Sequence, residues 1–136
     1  MLTVSFKEPE PAVLLDNNYE CNASIDTCSF GLSAAGNDMA TLGVKLSDED
    51  GRQLRTVREY LTFNSEKTEW KLSEVFHSLS MAKNTGDQVE VSTDSLIGRT
   101  GRVRVIQDTY TDKSGDEQLT NKIGRWLAPQ NTDAPQ

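Results

Sequence analysis

Residues 19–26 alternate without a break: Tyr19, Cys21, Ala23 and Ile25 are separated by Glu20, Asn22, Ser24 and Asp26. Successive side chains of a strand point to opposite faces, so this run fits a strand with one face buried and the other wet. Wound as a helix, the same residues would scatter their apolar members around the circumference. The first strand is read over 19–30, "YECNASIDTCSF", and "GLSAAGND" at 31–38 is the loop that ends it.

The same period recurs twice. In 39–47, Ala40, Leu42, Val44 and Leu46 take one face while Thr41, Gly43 and Lys45 take the other. "DEDG" at 48–51 is a turn that makes the next segment antiparallel. In 54–63, Val57, Leu61 and Phe63 oppose Arg58 and Tyr60. The period then changes: Leu72, Val75, Phe76 and Leu79 stand at i, i+3, i+4 and i+7, the stripe of an amphipathic helix. Asn64 or Ser65 can cap it, Glu66 complements its dipole, and it is expected to run to Lys83 before "NTGD".

"VEV" at 89–91 reads as a short pairing segment. After "STDS", the stretch "LIGRTGRVRVI" (96–106) opens a fourth strand that extends to Thr109. Gly98 and Gly101 fall at its entry, where a barrel needs a bend or a close backbone approach. "DKSGDE" at 112–117 is a hairpin turn, 118–128 the fifth strand, and "PQNTDAPQ" at 129–136 a flexible tail without periodicity. Three antiparallel strands, a helix and two strands match a mainly β, five-stranded OB-fold-like antiparallel barrel, with its helix between the third and fourth strands. The expected organisation is one domain over 1–128, with a leader at 1–17 and the tail beyond.

The formal net charge is −7, but residues 1–50 hold two basic and nine acidic residues, and residues 51–136 hold twelve of each. Whole-surface attraction to nucleic acid is thereby disfavoured, while a local basic face remains open. No apolar run reaches the roughly 20 residues that cross a bilayer. The start lacks a basic flank followed by an apolar stretch, so no secretory signal is expected and the expected place is the cytoplasm. Cys21 and Cys28 read as small buried hydrophobes in a reducing compartment; in one regular strand they would point to opposite faces, against a disulfide.

No catalytic constellation assembles. His77 is the single histidine and lies in the helical stretch, which leaves no Ser–His–Asp or Cys–His arrangement and no common zinc site. "GRTGR" lacks the lysine and following helix of a phosphate-binding loop. An enzyme is not expected, nor is a cofactor or a metal.

A binding face assembles more readily. Val103 and Val105 share one face of the fourth strand, which puts Arg102 and Arg104 on the other. By the same parity that wet face gathers Lys45, Arg58, Tyr60, Lys122 and Trp126, with Arg99 and Tyr110 near the ends of the fourth strand. Cations neutralise phosphates and flat rings stack on bases at roughly 1–3 kcal/mol each, the combination that holds a single strand without regard to sequence. The plainer readings are that the arginines solubilise the strand or pair with cross-strand acids such as Glu59, that Trp126 is a core lid, and that the glycines serve curvature.

The chain also resembles a family of small phage-encoded proteins found among replication and recombination genes. The resemblance rests on "DNNYECNASI", on a helix of the "EWKLSEVFHSL" kind and on "DSLIGRTGRVRVIQDTY…NKIGRWL", and spans 12–128. Its entry motif falls on Leu96, Ile97, Gly98 and Arg99, and its closing motif on Asn121, Lys122 and Ile123. Asn17 stands where the family has glycine, and asparagine tolerates the left-handed backbone that such a turn needs. The resemblance implies an OB-like fold and a single-stranded-DNA-binding role in phage DNA replication and recombination, in the host cytoplasm, beside replication or recombination proteins. A strand-edge homo-oligomer is open. The alternative function is a protein–protein adaptor or inhibitor of a host factor that uses the acidic N-terminal half.

Overall fold

The alternating runs form five strands, and the first three and the last two pair as successive hairpins. The computed structural model describes residues 12–63, 66–81 and 91–129. Strands β1 (Tyr19–Leu32), β2 (Asp38–Ser47) and β3 (Gln53–Thr62) are followed by a 3-10 turn (Glu66–Thr68) and helix α1 (Glu69–Ser78). Helix α2 (Thr93–Leu96) then leads to β4 (Thr100–Thr111) and β5 (Glu117–Leu127). The five strands form one sheet ordered β3-β2-β1-β4-β5, with every neighbour antiparallel.

Three five-residue loops of one design make the hairpins. Residues 33–37, 48–52 and 112–116 each close with two backbone bonds, residue 1 to residue 5 and residue 4 back to residue 1, at 2.8–3.0 Å. Residue 1 is Ser33, Asp48 or Asp112, and its side-chain oxygen accepts a backbone N–H from residue 5 in each loop. Residue 4 is always glycine; Gly115 has φ 86°, a left-handed conformation that a Cβ penalises.

The inner face carries the core. Cys21, Ala23 and Ile25 of β1, Ala40, Leu42, Val44 and Leu46 of β2, Val57 and Leu61 of β3, and Val103 and Val105 of β4 are all buried. Helix α1 lays Val75, Phe76 and Leu79 on that core, as the 3.6-residue stripe requires. It stops at Ser78 in a left-handed Ser80 (φ 60°), with Met81 N bonded to Phe76 O and Ser80 N to His77 O. That is short of the expected end at Lys83, which lies outside the described residues, as do Asn64, Ser65, residues 89–90 and residues 130–136. Val91 is in no strand, and "TDSL" forms α2, closed by a reciprocal Ser92–Ser95 capping box.

With all neighbours antiparallel, the edge strands β3 and β5 run in the same direction, and they come into contact. No ladder joins them among the described residues. Side chains bridge the seam instead. At one end Arg55 Nη1 donates to Asn121 Oδ1 at 2.8 Å and Arg55 Nη2 to Thr120 Oγ1 at 3.3 Å. At the other, Trp126 Nε1 donates to the buried Glu59 carboxylate at 3.0 Å, and Lys71 of α1 pairs with the same carboxylate.

Residues 12–18 of the leader cross the Arg55 end. Val13 N donates to Leu54 O at 3.0 Å, while Asn121 grips Leu15 from both sides: Leu15 N donates to its Oδ1 and its Nδ2 donates to Leu15 O. Asn18 (φ 67°) makes the left-handed turn into β1, one residue after the position where it was anticipated. No described helix is long and apolar enough to cross a membrane.

Candidate functional site

The outer face of the sheet is polar along its length, as the alternation requires. Thr41, Gly43 and Lys45 of β2 face outward beside Tyr60, Arg58 and Thr56 of β3, their respective partners in register. On β4, Arg102 and Arg104 lie opposite Asn22 and Glu20 of β1. Of the nine expected site residues, Lys45, Arg58, Tyr60, Arg102, Arg104 and Lys122 thus share the expected face. Arg99 lies in the turn before β4, its Nε donating to Ser95 O at 3.1 Å. Tyr110 is half exposed on the β4–β5 arm, which projects past Val105 where pairing with β1 ends.

Trp126 is on the other side. It is 3% exposed, packed in the core. The reason is a bulge: Ile123 faces Val105 and Arg125 faces Arg104, so Gly124 is an extra residue that shifts the parity of everything after it. A Cβ on Gly124 would stand 3.0 Å from Ile106 Cγ2, so the bulge is close-packed. The same happens in β1, where Asp26 is extra between Ile25 and Thr27. Cys28 therefore returns to the inner face, opposite Leu42, rather than facing away from Cys21 as regular alternation predicts. Both thiols are free, and burial pushes the Cys21 thiol up to about 11.

The arginines of β4 are engaged by acids of the N-terminal half. Arg104 donates twice to Glu20 Oε2, at 3.3 and 3.0 Å; Arg102 Nη1 donates to Asn22 Oδ1 at 3.1 Å and Nη2 pairs with Glu49 at 2.8 Å. Glu59, the acid singled out in the sequence, faces inward and pairs with Lys71. Arg104 also lies directly opposite Arg125, a like-charge pair that is tolerable because Arg125 turns to Glu74 of α1 at 2.8 Å. Lys45 pairs with Asp26 at 3.6 Å and Lys122 with Asp108 at 3.4 Å. The Asp108 carboxyl is held below its ordinary range by the Thr109 backbone N–H and then by Lys122.

Arg58 differs. It is exposed and has no ion pair among the described residues. It borders a groove of about 520 Å³ across β1, β2 and β3, lined by the hydroxyls of Thr27, Ser29, Thr41 and Thr56 and floored by Gly43. Thr27 leans over that glycine so closely that a Cβ at position 43 would lie 2.3 Å from its Oγ1. Tyr60, 46% exposed, stands beside Thr41 at the rim. The groove was detectable in sequence only as a glycine inside an otherwise regular strand, a mark of close backbone or ligand approach.

Gly101 shows what the second entry glycine does. A Cβ there would meet Ser78 Oγ at 2.7 Å, so the close approach is to the end of α1. Ser78 Oγ accepts from Arg102 N at 3.0 Å and donates to Arg102 O at 3.1 Å, fixing α1 to β4.

No family model matches the chain, and no curated protein matches it. Functional inference rests on the groove and the charges around it.

Proposed function

We propose that this chain binds single-stranded nucleic acid, with the strand lying across the outer face of β1, β2 and β3 rather than centred on Arg102 and Arg104. The observation that carries the reading is the Gly43 groove: an arginine with no ion pair among the described residues and four hydroxyl-bearing side chains line it, and the exposed Tyr60 stands beside it on β3. Arg58 supplies the charge for a phosphate, the hydroxyls supply donors to its oxygens, and Tyr60 offers a ring face to a base. None of these groups reads a base edge in a groove-specific way, so binding is not sequence-specific.

The strand order, the helix after the third strand and the parallel approach of β3 to β5 support an OB-like barrel in which side chains take the place of the last ladder. Phage replication and recombination is the setting that the sequence resemblance implies for such a protein. The adaptor reading is less well supported, because Glu20, Asp26 and Glu49 of the acidic half face the chain's own cations.

The test is fluorescence anisotropy of a labelled oligo-dT against the protein at low salt. Wild-type protein binds, and affinity falls as salt rises. Tyr60→Ala weakens binding by about 1–3 kcal/mol, the contribution of one stacked base. Arg58→Ala weakens it and flattens the salt dependence by about 0.7 in slope, one phosphate's share on a single strand. Folded wild-type protein that fails to bind at low salt refutes the proposal.

A further inference from the structure

A second groove, of about 460 Å³, opens where β1 and β4 meet the end of α1: Asn22, Ser24, Ser47, Thr100 and Arg102 reach it from the outer face, Gly101 and Ser80 from the other side. Both grooves are carried by β1 and β2. Between them stands the Lys45–Asp26 pair: Lys45 lies midway between Gly43 and Ser47 on β2, and Asp26 is the bulged residue of β1. From Thr41 to Ser47 the path along β2 is about 20 Å at the rise of a strand. The outer face is therefore one polar track from Tyr60, past Arg58 and Lys45, to Arg102 and Arg104.

Among the described residues, every cation on that track except Arg58 has a carboxylate seated on it. Asp26 is on Lys45, Glu49 on Arg102 and Glu20 on Arg104. These acids are not buried: their side chains are 43%, 60% and 43% exposed. Pairs exposed on both sides, such as Lys45–Asp26 and Arg104–Glu20, are individually weak, while Arg102 is itself 18% exposed and Glu49 is the outer member of its pair. A phosphate presents the same acceptor geometry to a guanidinium as a carboxylate does.

We propose that Glu20, Asp26 and Glu49 occupy, within this chain, the places that backbone phosphates of a bound single strand take, so that the acidic stretch 1–50 competes with nucleic acid for the track. The inference rests on the nucleic-acid reading above. The strand enters at Arg58, the one open cation among the described residues of the track, and extends by displacing the three carboxylates in turn. Each displacement exchanges one ion pair for another, so the wild-type salt dependence reports little more than the open cation.

The experiment compares wild-type protein with the variant Glu20→Gln/Asp26→Asn/Glu49→Gln in salt titrations of oligo-dT anisotropy. A control, Asp94→Asn/Asp116→Asn/Glu117→Gln, removes the same charge from exposed positions away from the track. The track variant is expected to bind at least about tenfold tighter at low salt, with a slope of log K against log salt steeper by about 2, three phosphates' share on a single strand. The control is expected to change the slope by less than half of that.

If the track variant is poorly folded by circular dichroism, Glu49→Gln alone serves. It frees Arg102 from an exposed turn residue and is expected to steepen the slope by about 0.7. Equal strengthening by the control means a bulk-charge effect and overturns the inference. Wild-type binding left unchanged by the track variant overturns it while the nucleic-acid reading stands. No binding by folded wild-type protein at low salt overturns both.

Discussion

Asn121→Ala is the sharpest test of how the sheet is held together without a final ladder. The asparagine is 5% exposed and makes four hydrogen bonds: from Leu15 N and Arg55 Nη1 to its oxygen, and from its amide to Leu15 O and Ile106 O. Truncation orphans Leu15 N outright. Leu15 O keeps Gln107 Nε2 at 3.1 Å, and Arg55 keeps Val13 O and Thr120 Oγ1. One stranded buried donor costs about 1–3 kcal/mol and the weakened remainder about 1 kcal/mol, so a loss of about 2–4 kcal/mol is expected. That is a large part of the ~5–15 kcal/mol available to a domain. Urea unfolding followed by far-UV circular dichroism gives the midpoint, and hydrogen exchange at the Leu15 and Val13 amides locates the effect. Asn121→Asp keeps the acceptor for Leu15 N and should protect that amide better than alanine does. A loss below about 0.5 kcal/mol for Asn121→Ala, the level of an ordinary surface change, refutes the clasp.

Two further outcomes follow from side chains described above. Ser78→Ala removes both bonds to the Arg102 backbone and should destabilise by about 1–3 kcal/mol in the same urea assay; an unchanged midpoint would deny that Ser78 ties α1 to β4. Asp112 has its carboxyl held below the ordinary range, first by the Asp116 backbone N–H and then by Gln118. Its folded value lies below its unfolded one, so its stabilisation of the hairpin loop is complete above a pH of about 4 and fades as pH falls through the folded value. NMR shifts of the Ser114 and Asp116 amides should titrate in that lower window, and Asp112→Asn should abolish the titration.

Much of the sheet was legible in the alternation alone. Period-two runs placed all five strands within a few residues of their observed bounds, and the parity of Val57, Leu61, Val103 and Val105 assigned their faces correctly. Two misplacements share one physical reason: a bulge adds a residue that the alternation itself does not announce. Asp26 and Gly124 each reverse the alternation behind them, which carries Cys28 and Trp126 inward. Polar residues on the inner face were also illegible, since Glu59 and Asn121 find their partners only across a seam between strands far apart in sequence. The pairing of Arg102 and Arg104 with Glu20 and Glu49 needed the strand order, because β1 and β4 are neighbours in space only.

That pairing bears on how the chain finds its own fold. The contact between β1 and β4 joins segments about eighty residues apart, and their outward residues are complementary at Glu20 opposite Arg104 and Asn22 opposite Arg102. A slip of two residues in one direction would set Glu20 against Ile106; a slip of two in the other would keep Glu20 opposite an arginine, Arg102, but leave Arg104 opposite Asn18. Two copies meeting through the same strand in matched register would place arginine against arginine or glutamate against glutamate. The outward charges thus favour β4 beside a β1 strand and disfavour β4 beside a second β4, so like strands of two copies are kept from pairing.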